Sequence, residues 1–349
     1  MCHAAIVVLQ WFASPTKIVG RPELKQREHI VEKMHAAVVT SFDEPPRYQE
    51  FELPVASDDD HALVDVLAVG LHPRVRADAS GKHYSSTGRL PMIPGVDGVG
   101  QLDDGRRVYF VADDELPGPM AEKAVIDLRR TVPLPEDADV EMIAAAMNPA
   151  MSSWVALRRR VPIEAGQSVL VLGATGNAGA MAVRVAKRLG AGRVVGAGRD
   201  AERLDALRGV GADEIVQLTE DPDATEAALA KAAADVDIVI DYLWGKPAAR
   251  AMMALIIARK DPSHALNWIQ IGAIAGPTLE LPSVALRSAN LRIQGNGQGA
   301  VSIRGHLAEL PSLIEEINSG ALRITGRPVP YETLSPPGAR PMSLANERS

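Results

Sequence analysis

A chain of 349 residues with 46% hydrophobic content has enough apolar material for two ordinary cores. Acidic residues outnumber basic ones by 44 to 37, giving a formal charge of -7, and no Lys/Arg stripe with interleaved aromatics occurs, which argues against a nucleic-acid partner. Cys2 is the single cysteine, so neither an intrachain disulfide nor a cysteine zinc cage is expected, and a reducing cytoplasm is the expected location.

The apolar run from Ala4 to Leu9 is too short to span a bilayer and lacks the basic flank of a signal peptide, so neither membrane attachment nor export is expected. Residues 1–33 end in a charged stretch and read as an extension without ordered structure, with Met34 as a second candidate start. A first strand is predicted at His35–Thr40. Short apolar runs such as Ala62–Leu71 and Arg107–Val111, punctuated by Gly, Pro and Asp, then predict a mostly β domain over 34–150. After Trp154, runs of Val and Ile alternate with Ala-rich amphipathic stretches, the pattern of a doubly wound parallel α/β sheet over 151–290. Its strands are predicted at 168–172, 193–197, 214–217, 236–241 and 266–271. The helix after the first of them carries Ala178, Met181, Ala182, Val185 and Leu189 on one face and stops at Gly190. A glycine-rich stretch, 295–299, precedes a last helix at Ser302–Ser319. Residues 291–331 are expected to return to the first domain, and 332–349 form a polar, divergent tail.

The segment that carries chemistry is Gly173-Ala174-Thr175-Gly176-Asn177-Ala178-Gly179, which follows an apolar strand directly and opens a helix. Glycines at this spacing permit a tight turn and close approach of a pyrophosphate, whose charge the helix N-terminal amides stabilise. At the tip of the second strand, the acidic residue that would bind an unphosphorylated ribose stands replaced by Arg199. With Arg203 one turn on, this favours NADP(H), through charge-assisted hydrogen bonds to a 2′-phosphate. Asp200 could instead turn toward the ribose, and both arginines could merely cover a helix surface. Asp241 and Gly272-Ala273 close the next two strands, where a cofactor crevice lies; Gly272 would admit the nicotinamide half, and Asp241 could equally cap the following helix.

Together with Val69-Gly-Leu-His-Pro73, Pro94-Gly-Val-Asp-Gly-Val-Gly100, Asn148-Pro-Ala-Met-Ser-Ser-Trp154 and Asp241-Tyr-Leu-Trp-Gly245, this motif resembles the medium-chain dehydrogenase/reductase superfamily, and its quinone oxidoreductase-like branch best, over Met34 to Tyr331. The resemblance implies a Rossmann domain inserted into a GroES-like, mostly β domain, and a homodimer formed through the Rossmann sheets. It also implies hydride transfer from a nicotinamide in the interdomain cleft. Zinc-dependent relatives use a Cys near Leu71 and a His where this chain has Val96; neither ligand is present, so no metal is expected. The implied acceptor is a small molecule activated by its own carbonyl, a quinone or an enone. Tyr84 corresponds to a Tyr beside the acceptor in quinone- and enoyl-reducing relatives and is the candidate proton donor, with His83 as a weaker one. His72, Asn148, Met151 and Trp154 are candidate substrate-cleft residues, although His72 departs from the Asn of many relatives.

Two rival readings stand beside this one. Tyr242-Leu-Trp-Gly-Lys246 spells the Tyr-x-x-x-Lys of short-chain reductases, but it follows the Asp241 strand too closely and the glycine turn lies too far into the chain. The other is a catalytically silent NADPH-binding structural or regulatory protein, since a fold does not fix a function.

Overall fold

A computed structural model describes residues 6–10 as backbone, and 31–83, 86–297 and 299–330 in full. Contacts divide the chain into two units, one of residues 146–324 and one of residues 5–145 with the stretch from 325 onward.

The second of these is built from β1 (Ile6–Gln10), β2 (Lys33–Val38), β3 (Arg47–Glu52), β4 (His61–Leu71), a short helix α1 (Pro73–Ala79), β5 (Asp97–Gln101), β6 (Arg107–Val111), β7 (Lys123–Asp127) and β8 (Thr131–Pro133). β2 and β3 pair as an antiparallel ribbon, while β4 is the long central strand of a curled sheet and pairs β1, β5 and β7 antiparallel. A register shift between Val66 and Ala68 bends β4, which lets one strand serve several neighbours. Val64, Val66 and Val69 bury against Val38, Phe110 and Ile126. β-branched side chains suit this half-buried, pleated surface.

A long helix, α2 (Val140–Val155), leads into the other unit. There β9 (Ser168–Leu172), α3 (Asn177–Arg188), β10 (Arg193–Gly198), α4 (Ala201–Ala206), β11 (Glu214–Gln217), α5 (Pro222–Ala233), β12 (Ile238–Asp241), α6 (Gly245–Ala258), β13 (Leu266–Gln270), α7 (Ser283–Ser288) and β14 (Leu291–Gly295) alternate, followed by α8 (Ile303–Leu307) and α9 (Leu310–Asn318). The six strands are all parallel, in the order β11-β10-β9-β12-β13-β14. This is the 3-2-1-4-5-6 order of a dinucleotide fold, whose direction reverses between β9 and β12. Leu170, Val195, Val239 and Trp268 from the strands meet Leu229, Met252 and Leu255 from the helices. The stripe expected on α3 is buried at Met181, Ala182 and Val185, each worth about 1–3 kcal/mol, and the chain turns off at Gly190 with φ 98°.

The chain returns to the β unit in β15 (Gly326–Pro330), which pairs parallel with β1. Several boundaries differ from the sequence expectations. Ile6–Gln10 is a strand inside the stretch expected to be an unstructured extension, because it finds partners on both sides, β4 and β15, that lie far off in sequence. Residues 291–324 stay with the Rossmann unit, and the crossing comes near Thr325. β14 has no counterpart among the predicted strands because it is an edge strand of mixed exposure with Arg292 and Gln294 in it, so it lacks the apolar run of its neighbours. The single helix expected at Ser302–Ser319 is two, α8 and α9, with Pro311 in the first turn of the latter. The tail 332–349 lies outside the described residues. Among the described residues no helix is long and apolar enough to cross a membrane.

Candidate active site

The glycine turn is shaped by two different constraints. Gly173 has φ 84°, a left-handed conformation that a side chain would strain. At Gly179 the constraint is space: a Cβ there would collide with the Gly173 carbonyl oxygen and lie 2.7 Å from Ala174 Cα. Only a bare residue allows α3 to start this close to β9. The turn is tied to the next strand, since the amides of Gly173 and Ala174 both donate to the Ala197 carbonyl, at 2.9 and 2.8 Å. Gly176 is the N-cap of α3, and no side chain caps the helix there. First-turn amides without a side-chain cap, on a dipole of favourable sign, suit an anion such as a pyrophosphate.

At the tip of β10, Arg199 is exposed and forms no ion pair among the described residues. Arg203 reaches back so that one guanidinium nitrogen donates to the Thr175 carbonyl at 3.2 Å, at the mouth of the glycine turn. The Asp200 carboxylate accepts from the Arg203 amide at 3.0 Å, so that it N-caps α4, and its other oxygen lies 3.6 Å from the Arg203 guanidinium. Arg203 therefore meets the turn, Arg199 stands exposed at the end of β10, and Asp200 between them is shared between the cap and the Arg203 ion pair.

On the other side of the reversal, Asp241 is fully buried and spends its carboxylate within the protein. One oxygen accepts from the amides of Leu243 (2.8 Å) and Trp244 (3.0 Å), the other from the Trp268 indole at 2.9 Å. Burial pushes its carboxyl up, against the pull of these three donors. It holds the sharp turn before α6, where Trp244 has φ 52°, which is close to the structural alternative that the sequence offered for this carboxylate. Gly272 likewise makes room for protein, since a Cβ there would lie 2.7 Å from the Tyr242 carbonyl oxygen. Ala273 follows it at the same end of the sheet and is exposed.

Tyr242 stands between these two glycines, its Cβ 3.3 Å from where a Cβ on Gly173 would be. Its hydroxyl and that of Ser152 on α2 share a hydrogen bond of 2.8 Å. Desolvation pushes the phenol up to about 12, so it stays protonated at neutral pH, and Lys246 is exposed. A Tyr-x-x-x-Lys couple would need the phenol acidified by the lysine, the opposite of this arrangement. The backbone carbonyl of Ser152 accepts from Asn296 Nδ2 at 2.8 Å. Neither Asn296 nor the Ser152–Tyr242 pair is singled out by the sequence. The one signal is the glycine-rich stretch holding Asn296, which gains meaning only once β14 is known to precede it.

Of the other residues expected in a substrate cleft, Asn148 and Met151 lie partly buried on α2. Trp154 is 3% exposed, and its indole donates to Glu309 at 3.2 Å. Arg158 lies over its ring and, with Arg159, also binds Glu309, each at 2.5 Å. Burial works to raise the Glu309 carboxyl, but the two guanidinium groups outweigh it and hold the carboxyl below its usual value.

In the β unit, His72 is buried, with Nε2 3.7 Å from Asp97 Oδ1, while Asp97 Oδ2 accepts from the Tyr109 hydroxyl at 2.8 Å. Burial and then the Asp97 charge push the Tyr109 phenol well up. Tyr84 lies outside the described residues. His83 faces Asp78 at 3.4 Å, and its imidazole is held below the usual range by burial, with Asp78 opposing.

The family model for zinc-binding dehydrogenases matches residues 178–259. A probable NADPH-dependent quinone reductase of Emericella nidulans is 32% identical over 324 residues, covering 80% of this chain and 89% of that protein. An NADPH-dependent alkenal/one oxidoreductase of Arabidopsis thaliana is 27% identical, over 47% of this chain and 46% of its own length. The crystal structure of the quinone oxidoreductase from Thermus thermophilus, solved also with NADPH, superposes with a TM-score of 0.69 at 27% identity, covering 83% of this chain and 89% of that one. With a glycine turn of this geometry, a 3-2-1-4-5-6 sheet and a relative matched along most of both chains, this chain belongs to the quinone oxidoreductase-like branch of the medium-chain dehydrogenase/reductase superfamily.

Proposed function

We propose that this chain is a reductase that uses NADPH to reduce a quinone or an α,β-unsaturated carbonyl. The observation that carries the cofactor half is an uncapped glycine turn with Arg203 bonded to its Thr175 carbonyl and Arg199 exposed at the adjoining strand end. The nicotinamide, when bound, supplies the hydride. The protein's part is to hold and orient. The first-turn amides of α3 stabilise the pyrophosphate charge, Arg199 and Arg203 take the 2′-phosphate, and Thr175, held by Arg203, fixes the turn between them.

The acceptor half rests on the relatives, whose names describe quinone and alkenal/one reduction. A quinone or enone needs no Lewis acid to accept hydride, which fits a chain with Val96 and Leu71 where zinc-dependent relatives place ligands. Zinc independence, Tyr84 as proton donor, a homodimeric assembly and a cytoplasmic location belong to the same reading.

The test is oxidation of NADPH and NADH by metal-free protein against a panel of small quinones and enones, beside Arg199→Asp. Losing one charge-assisted bond of about 1.5–3 kcal/mol should weaken NADPH roughly 10- to 150-fold and leave NADH little changed. Equal loss for both cofactors would remove Arg199 from the 2′-phosphate. Tight NADPH binding with no turnover on any acceptor would make the chain a silent binding protein.

A further inference from the structure

Among the described residues, β1 is the only strand that joins β15 to the rest of its sheet, whose order runs β15-β1-β4-β5-β6-β8. Pro328 and Pro330, two positions apart, leave one edge of β15 without donors, so a full ladder can form only along the other, and its one ladder is with β1. On its far side β1 lies antiparallel to residues 68–71 of β4. Ala68 is flanked by Gln10 and Val99, and Asp65 by Lys123 and Gln101, so β5 takes one edge of β4 while β7 and then β1 share the other. Without β1, two strand edges would open at once, each with backbone groups that need partners.

The two walls of this gap have support that does not come from β1. The β4 wall is held on its other edge by β5 and, further back, by β7, while Val329 of β15 belongs to the same buried core as Val69 and Leu71. What lies between them is a strand of five residues, Ile-Val-Val-Leu-Gln, joined to β2 through residues 11–32 and far in sequence from both its partners. Strand addition of this kind takes its affinity from main-chain hydrogen bonds, so any extended backbone of suitable side chains meets the same demand. The gap is also placed to matter beyond itself. Pairing of β4 with β1 ends at Leu71, and His72 and α1 start at the next residues. Gly70 on this wall already sits so close to the neighbouring chain that a Cβ would lie 2.6 Å from the Ala144 carbonyl oxygen, which leaves little room for β4 to shift.

We propose that the gap between β4 and β15 is a binding slot for an extended apolar peptide strand, and that Ile6–Gln10 is its built-in, releasable occupant, whose seating docks β15 and holds the end of β4 from which His72 and α1 start. The proposal is independent of the NADPH reading, and its tests need no turnover. In hydrogen exchange of the full wild-type chain under rising urea, the amides of residues 7–10, of 69–71 and of Arg327 and Val329 should lose protection as one unit, before those of β5 and β6. Val8 lies opposite Gly70 on one side and Pro328 on the other, so Val8→Pro in the full chain breaks both ladders and should release the same amides while β9 and β10 keep wild-type protection. A fluorescein-labelled peptide of residues 5–11, with lysines appended for solubility, should bind the proline variant roughly tenfold or more tighter than wild type, whose slots are mostly filled, as read by anisotropy. It should also restore protection at 69–71, whereas the same peptide with proline in place of Val8 should do neither. Protection at 69–71 that outlasts the loss at 7–10 in wild type overturns the proposal, and so does equal peptide binding by wild type and variant. A proline variant that binds no peptide while β5 and β6 stay protected overturns it as well. Should that variant lose β5 and β6 too, the wild-type exchange decides by itself.

Discussion

Replacing Asp241 by Asn separates a structural carboxylate from a ligand-binding one. The native carboxylate meets three donors, two backbone amides on one oxygen and the Trp268 indole on the other. An amide of the same shape has one acceptor, so whichever way it turns, its NH2 confronts a donor. If the oxygen stays on the Leu243 and Trp244 amides, the Trp268 N–H is orphaned in the core at a cost of about 1–3 kcal/mol; if it turns to Trp268, two amides are orphaned and the cost rises. The removed charge returns part of this, because burial already disfavours the carboxylate. The expected net loss for Asp241→Asn is thus about 1–3 kcal/mol, and for Asp241→Ala, which orphans all three donors, roughly 3–5 kcal/mol. Urea unfolding followed by tryptophan fluorescence reads the loss, and titration with NADP+ on the still-folded variant reads affinity. An Asn variant with an unchanged unfolding midpoint and a tenfold weaker NADP+ affinity would refute the reasoning and return Asp241 to the cofactor.

Gly179→Ala should be disproportionately damaging for one methyl group, because its Cβ meets backbone and not a side chain that can move. Overpacking of this kind costs about 1–3 kcal/mol, and 2′,5′-ADP affinity should fall with the thermal midpoint; a variant with both unchanged would mean that the turn is looser than its contact distances imply. Glu309 supplies a pH signature. A carboxyl held below its usual 4.5 in the fold stabilises the protein fully above that value, and the contribution is lost as pH falls through the lower folded value. Glu309→Gln should therefore be less stable than wild type at pH 7, and the gap should close on acidification below about 4.5, as read by thermal midpoints across a pH series. A gap that does not change with pH would show that the Arg158 and Arg159 pairs contribute little there.

The Rossmann half is largely legible because its strands are apolar runs of Val, Ile and Leu, buried on both faces, and because the glycine turn obeys steric rules that a sequence states directly. Arg199, Arg203 and the turn are neighbours along two consecutive strand ends, so their meeting needs only one right-handed crossover. Expectation and structure part where distant segments decide. Ile6–Gln10 becomes a strand through partners at 68–71 and 326–330, β14 is an edge too polar to look like a strand, and Trp154 is taken up by Glu309, 155 positions away.

Asp241 and Asn296 show the same division at single-atom scale. A carboxylate at a strand end looks like a ligand contact because the sequence displays its charge and hides its partners; in the fold every lone pair it needs is met by Leu243, Trp244 and Trp268. An asparagine between two glycines looks like a turn residue, because that is what such residues do locally. Only the fold shows that Ser152 fixes one end of the amide and leaves the other, among the described residues, without a donor. Charge at a strand end is therefore weak evidence for a cofactor contact, since it can be satisfied within the chain, as Asp241 is.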